Sequence, residues 1–411
     1  MVKKKVLILI MVFAMIGLLA GCGSRSGDQA GLVGGEEPEI EEEVIEEELA
    51  PVSILISAVG DIMMHLTQIN AQYNSQTGTH DFNNNFVYVR PFFEASDLSI
   101  GNLETTFGGA PYAGWPLFSA PDALAPALKT AGFDVIVTAN NHMVDRGLVG
   151  LLRTIDVLRG NGLVVSGSRE NDTQPRYAIF EAQGVNIGVV AFTYATSSAA
   201  GNLYVNGIRA QDARHLINYF RYTHLDEDLE NVRRVVEAAR ASGADIIALS
   251  YHWGDEYVLQ SNHYQRRIAQ RTVDTMEVDM IFGHHPHTLQ EVVYLTSELT
   301  GRQVPVFYSL GNFISNQRRE TLPNTRNNRH TETGAIAQVR VEFDLNNREI
   351  ISMSKSAIPT WVERHQVGGR HVFSIIPLTD GLEDNTTLAV SGNIGRAQQA
   401  LVYANDILGI H

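Results

Sequence analysis

One cysteine, Cys22, stands among 411 residues. The chain beyond it can form no internal disulfide and no thiolate metal site, so a metal would have to be held by His, Asp, Glu or Asn. Positive charge is also scarce: 31 Lys and Arg against 46 Asp and Glu leave a formal net charge of −15. Nucleic acid is therefore not expected as a partner, because a basic patch is the usual footprint of that function. Internal repeats are absent. The one strongly apolar run, Val6 to Ala20, is shorter than the roughly 20 residues of a membrane-spanning helix.

That run follows Lys3, Lys4 and Lys5 and ends in Leu19-Ala20-Gly21-Cys22. A positive start, an apolar stretch and small residues are the layout of a signal peptide, and the ending resembles a bacterial lipobox. The resemblance implies a lipoprotein signal peptide over 1–21, a diacylglyceryl group on the thiol of Cys22, and an extracytoplasmic protein anchored to the membrane. An ordinary apolar anchor with an incidental cysteine is the plainer alternative. Residues 22–51 turn to Gly, Ser and a dense series of Glu, from Glu36 to Glu48. Such a run repels itself and stays extended, so it reads as a disordered acidic tether.

About 360 residues remain, the upper end of one domain or one domain with an appendage. Short β-branched apolar runs alternate with amphipathic helical stretches, the pattern of an α/β fold of layered α-β-β-α type. Ser53 to Val59 leads into Gly60-Asp61, and Leu98 to Gly101 into Asn102-Leu103-Glu104. Val135 to Thr138 precedes Asn140-Asn141-His142, Ile246 to Ser250 precedes Tyr251-His252-Trp253-Gly254, and Met280 to Phe282 precedes Gly283-His284-His285-Pro286-His287. Parallel strands bring their carboxyl ends to one edge, so these five clusters converge into one candidate site. A single polar cluster after a strand would mean only a loop start. Five, rich in carboxylate, amide and imidazole and free of Lys, form a ligand set suited to Mn, Zn or Fe.

At these positions the chain resembles the bacterial capsule-synthesis CapA family, similar to poly-γ-glutamate synthesis PgsA proteins, a branch of the calcineurin-like metallophosphoesterases. The matching stretches are Gly60-Asp61-Ile62-Met63, Asn102-Leu103-Glu104, Ala139 to His142 with Asp145 and Gly147, His252-Trp253-Gly254 with Glu256, Gly283 to Gln290, and Tyr308 to Phe313. The resemblance implies a metallophosphoesterase-like sandwich over 52–345 and two divalent metals. Asp61 would hold the first and Glu104 would bridge both. Asn141 and His252 would hold the second, with His287 on the first and His285 or His284 on the second. His142 would face the substrate as general acid, since an imidazole, ordinarily with a pKa of about 6.5, can protonate a leaving oxygen near neutral pH.

Asp145 could orient His142 or simply cap the following helix. Glu256 is open as ligand, neighbour of a ligand or surface residue, and Asn312 as a site hydrogen bonder or a turn residue beside Gly311. Trp253 reads as core or pocket wall. The wider superfamily begins Asp-x-His, but Met63 fills the histidine position here. His65 would lie on the same side as Asp61 if the strand continued, and so is a candidate substitute. Residues 346–411 read as further strands and a terminal helix, an extension packed on the domain.

Two functions follow. One is a surface-anchored capsule or polyanion synthesis protein with a dinuclear phosphoesterase-like site, acting on a phosphoester or an anionic envelope polymer, with membrane synthase subunits as possible partners. The other is a non-catalytic polymer-binding or export component with a relic metal site. An anionic polymer would be repelled by the tether unless bound cations or arginines near the site, such as Arg146 or Arg267, received it.

Overall fold

The computed structural model describes residues 48–379 and 381–409. The signal peptide, Cys22 and the tether up to Glu47 lie outside the described residues. Among the described residues no helix is long and apolar enough to cross a membrane.

The principal strands are β1 (Val52–Ile62), β2 (Leu98–Leu103), β3 (Val135–Val137), β4 (Val164–Ser166), β5 (Val185–Ser197), β6 (Ile246–His252), β7 (Met280–His284), β8 (Gln303–Phe307), β9 (Asn312–Ile314), β10 (Thr333–Asp344), β11 (Glu349–Val367) and β12 (Arg370–Pro377). They form two sheets. The first runs β12-β11-β10-β1-β2-β3-β4, with β9 beside the end of β1, and the second is centred on β5-β6-β7-β8. Within each, β1-β2-β3-β4 and β5-β6-β7-β8 are parallel. The carboxyl ends of β1, β2 and β3 therefore lie at one edge of their sheet, and those of β6 and β7 at one edge of theirs.

Side-chain alternation builds the layers. Ile54, Ile56 and Ala58 of β1, Leu98 and Ile100 of β2, Ile246 and Ala248 of β6, and Met280 and Phe282 of β7 share one core between the sheets. The opposite faces bury Ile136 against Leu124, Leu128 and Ile155, and Ile247, Leu249 and Ile281 against Leu229, Val232 and Ile268. Those partners sit on helices α1 (Leu124–Ala131), α2 (Gly147–Gly160), α3 (Leu225–Ala241) and α4 (His263–Thr275). The result is the helix–sheet–sheet–helix sandwich that the sequence pattern indicates. Each fully buried Leu, Ile or Phe in these layers contributes about 1.5–3 kcal/mol.

The segment after 346 joins the first sheet. Strand β11 pairs antiparallel with β10 from Thr333↔Trp361 to Asp344↔Glu349, and β12 pairs with β11. Helix α5 (Ile394–Leu408) buries Ala397 in a cluster with Trp361, Ile376 and Leu388.

Candidate metal centre

The alternation that places Ile246, Ala248, Met280 and Phe282 between the sheets places His252 and His284 there too, two positions at a time. Leu98 and Ile100 likewise lead to Asn102 and Glu104. Strand β1 needs a correction to join them. Its even residues, Ile54 to Ala58, face the other sheet, and Val59 faces the helices, so Asp61 would point away from the site. Val59 pairs with Gly101 and Asp61 with Asn102, leaving Gly60 as an extra residue. This bulge reverses the alternation: Ile62 joins the helix-facing cluster and Asp61 turns inward. Only glycine fits the bulge, because a Cβ at position 60 would stand 2.0 Å from the carbonyl oxygen of Gly311.

Asp61, Glu104, Asn141, His252, His284, His285 and His287 are brought together and buried. Asp61 Oδ1 accepts from Asn102 Nδ2 at 2.8 Å, and its Oδ2 lies 3.0 Å from His287 Nδ1. His287 Nδ1 also stands 3.1 Å from Asn312 Oδ1. Both neighbours are acceptors, so Nδ1 carries the proton and Nε2 is left with its lone pair, 3.8 Å from Glu104 Oε1. His252 Nε2 donates to Asn141 Oδ1 at 3.0 Å and lies 3.7 Å from Glu104 Oε1. His284 Nδ1 is 3.8 Å from Asp61 Oδ1, and the His252 and His285 rings are 4.8 Å apart.

Two three-residue groups have the spacing to hold an ion: Asp61, Glu104 and His287, and Glu104, His252 and His285. They share Glu104. A third, Glu256 with His285 and His287, adds an exposed carboxylate at the rim. Neither oxygen of Glu104 has a hydrogen-bond partner, nor do His252 Nδ1, either nitrogen of His284, or His285 Nδ1. Buried polar atoms are normally satisfied, so a cluster of unsatisfied anionic and imidazole donors fits a divalent cation.

The electrostatics agree with that fit. Burial pushes His284 and His285 down to about 4 and His252 well below the usual imidazole range, leaving the neutral form that ligates metal. For His287 burial works the same way, but the hydrogen bond and charge of Asp61 outweigh it and raise its pKa. Burial, followed by the charges of Asp61 and Glu256, drives Glu104 well above the ordinary carboxylate range. His285 and His287 have φ values of 97° and 55°, a region that non-glycine residues occupy at a cost of about 1–3 kcal/mol each. The strain turns both rings inward on either side of Pro286.

His142 Nδ1 donates to Asp145 Oδ2 at 2.8 Å, and the same oxygen accepts from the Phe118 amide at 2.7 Å. Of the two sequence readings of Asp145, the geometry has it holding His142. The imidazole is pinned further by Phe118, whose ring meets it edge-on at 4.7 Å. Asn312 bonds within the site: besides His287 Nδ1 it reaches Gln317 Oε1 and the Thr331 carbonyl through Nδ2. Trp253 is core, its Nε1 donating to Tyr308 O at 2.9 Å.

His65 departs from expectation. Strand β1 ends at Ile62, and His65 is the cap of a short helix, Leu66–Gln72, so the strand alternation that would carry the side of Asp61 to His65 no longer applies. Its Nδ1 accepts from the Asn316 amide at 3.3 Å and faces Gln68 Oε1 at 3.2 Å, and it belongs to none of the ion-holding groups. Met63 Sδ instead faces the Ser315 hydroxyl at 3.7 Å. Arg267 is turned away on α4, where it pairs with Asp226 of α3 at 3.3 Å. Arg146 follows Asp145 at the start of α2, packed on Gly108 and Gly150.

Sequence reading missed Phe118, Tyr194 and Tyr257. Tyr194 lies 4.9 Å from the His285 ring and Tyr257 5.9 Å from that of His287. Tyr194 could have been found, since strand β5 runs parallel to β6 and reaches the same edge. A cavity of about 650 Å³ beside α5, lined by Trp361, Arg396 and Tyr403, contains none of the anticipated site residues.

The model of the family described as bacterial capsule synthesis protein PGA_cap matches residues 55–317, a span that holds every residue of this centre. The chain belongs to that family. Among its relatives, the capsule biosynthesis protein CapA of Bacillus anthracis is 29% identical over 294 residues, covering 66% of this chain and 63% of the relative. The PGA biosynthesis protein CapA of Bacillus subtilis is 29% identical over 273 residues, covering 64% and 63%. The matches thus span less than two thirds of these relatives' length. Among solved structures, a phosphatase from Mycoplasma pneumoniae superimposes with a TM-score of 0.42 at 14% identity, covering 75% of this chain and 94% of that one.

Proposed function

We propose that this protein acts in the synthesis of an anionic capsule polymer outside the cytoplasm, as a metal-dependent phosphoesterase-like enzyme anchored through lipid on Cys22. The observation that carries the reading is Glu104: fully buried, without a hydrogen-bond partner, and common to two ion-holding groups. Asp61, Glu104 and His287 would hold one divalent ion, and Glu104, His252 and His285, with Asn141 beside them, the other. Bound there, the ions would supply positive charge to a phosphoryl group and lower the pKa of water. Glu256 adds negative charge at the exposed rim, and Tyr194 and Tyr257 wall the histidines.

His142 supplies the proton. Its Nδ1 is committed to Asp145, so Nε2 is the atom free to protonate a leaving oxygen, and Phe118 keeps the ring from turning. The full-length protein with added Mn²⁺ is expected to hydrolyse a simple phosphomonoester or phosphodiester. His142→Ala should lower that rate about 10²- to 10⁴-fold while retaining metal. Loss of metal in the same variant, or an unchanged rate, would remove the general-acid role. No turnover by metal-loaded protein across several phosphoesters would favour the polymer-binding alternative. The anchor is tested separately: lipid labelling should vanish in Cys22→Ser, and persistent labelling would remove that part of the reading.

A further inference from the structure

Away from the metal centre, two adjoining cavities of about 520 Å³ and 370 Å³ share Arg169, Arg176, Asn231 and Arg234 in their walls. The larger adds Arg214, Arg221 and Tyr219. In a chain of net charge −15, this concentration of guanidinium groups is anomalous, and its pairing is incomplete. The wall carboxylates Glu227 and Asp228 both pair with Arg221, and Arg169 pairs with Asp172. Among the described residues, Arg176, Arg214 and Arg234 have no carboxylate partner, and the smaller cavity has no carboxylate in its wall.

Arg176 is the most telling of the three. It is half-buried, its Nε donates to Asn218 Oδ1 at 2.8 Å and its Nη1 to Asn231 Oδ1 at 2.9 Å. These neutral amides orient the guanidinium without cancelling its charge. Burial, and then the nearby Arg169 and Arg234, press its pKa down to about 10. A cation held in place, desolvated and surrounded by like charge is costly unless an anion completes the site. Arg214 donates from Nε to the Tyr219 hydroxyl at 2.9 Å, which leaves its terminal nitrogens for a ligand.

We infer that these joined cavities form a groove for a polyanion bearing regularly spaced carboxylates, received by Arg176, Arg214 and Arg234. A single small anion would meet one guanidinium fork, whereas cations spread over two connected cavities match successive charges on one chain. The partners of Arg176 lead toward the metal centre: Asn218, whose Oδ1 orients Arg176, accepts through its backbone carbonyl from the Thr193 amide, and Thr193 is paired with His252 across β5 and β6. This inference rests on the polymer-related part of the proposed function. It also supplies the receiving cations that the sequence suggested at Arg146 and Arg267.

The test is titration of full-length protein in detergent with poly-γ-glutamate and, separately, with inorganic phosphate, at low and moderate salt. Arg214 and Arg234 are exposed, so Arg214→Ala/Arg234→Ala should fold normally and keep the wild-type metal content. Its affinity for the polymer is expected to fall by about tenfold or more, with a shallower salt dependence. Arg176→Gln, which keeps an amide hydrogen bonder, should weaken binding likewise, and His252→Ala should leave it intact. Equal binding by wild type and the double variant would overturn the groove while leaving a polymer-related function standing. Absence of polymer binding by the wild type at low salt would remove both. Binding of phosphate without the polymer would overturn the polyanion assignment.

Discussion

Glu104 and Glu332 are the same residue type, buried to the same degree, in opposite circumstances. Glu332 is saturated: Arg396 Nη2 reaches both of its oxygens at 2.7 Å, Arg319 Nε lies at 3.3 Å, Arg318 Nη2 at 3.6 Å, and Trp361 Nε1 donates at 3.3 Å. Glu104 has no hydrogen bond to either oxygen, only imidazole nitrogens at 3.7 and 3.8 Å. A buried charge with every lone pair occupied contributes to the fold and is finished. One left without a hydrogen bond in a buried site is unfavourable in the protein alone and is explained by a cation that the fold is built to receive.

The contrast makes opposite predictions for stability. Glu332→Ala should cost about 1–3 kcal/mol in chemical denaturation, because Arg318, itself fully buried, is left with the exposed Glu320 as its one carboxylate partner. A loss below about 1 kcal/mol would show that the arginines there reach solvent and that saturation at Glu332 contributes little. Glu104→Gln should do the reverse. Burial and the neighbouring charges of Asp61 and Glu256 raise the pKa of Glu104 and disfavour its charged form in the metal-free fold, so the chelated variant should be at least as stable as chelated wild type. Chelator should lower the melting temperature of wild type and leave that of the variant almost unmoved. A variant markedly less stable than wild type in chelator would put Glu104 in the same class as Glu332.

Much of this centre was legible in the sequence because alternation is a local rule. Apolar residues at 246 and 248 and at 280 and 282 carry the same face to His252 and His284, and those at 98 and 100 carry it to Asn102 and Glu104. The bulge at Gly60 was not legible, since it depends on the approach of the Gly311 carbonyl from 251 residues away. Nor does the sequence show that β1 ends at Ile62, so the condition on which His65 would share the side of Asp61 is not met. Phe118 lies in irregular chain, where no periodicity indicates its direction. The arginine groove was hidden because Arg176, Arg214 and Arg234 come from two loops and the outer face of a helix, and only the packing of α3 against β5 unites them. The turn from β10 into β11 shows why the end of the chain is hard to divide by composition: its strands continue the first sheet.

The central claim is that Glu104 belongs to two ion-holding groups at once, and metal content measures it most directly. Full-length wild type, His287→Ala, His252→Ala and Glu104→Gln would be purified without chelator, loaded with Mn²⁺ under identical conditions, and analysed for metal per chain. The account predicts that His287→Ala and His252→Ala each lose part of the wild-type metal, and that Glu104→Gln loses nearly all of it. Wild-type metal content in Glu104→Gln, with either histidine variant depleted, would contradict the shared carboxylate and with it the reading of this site.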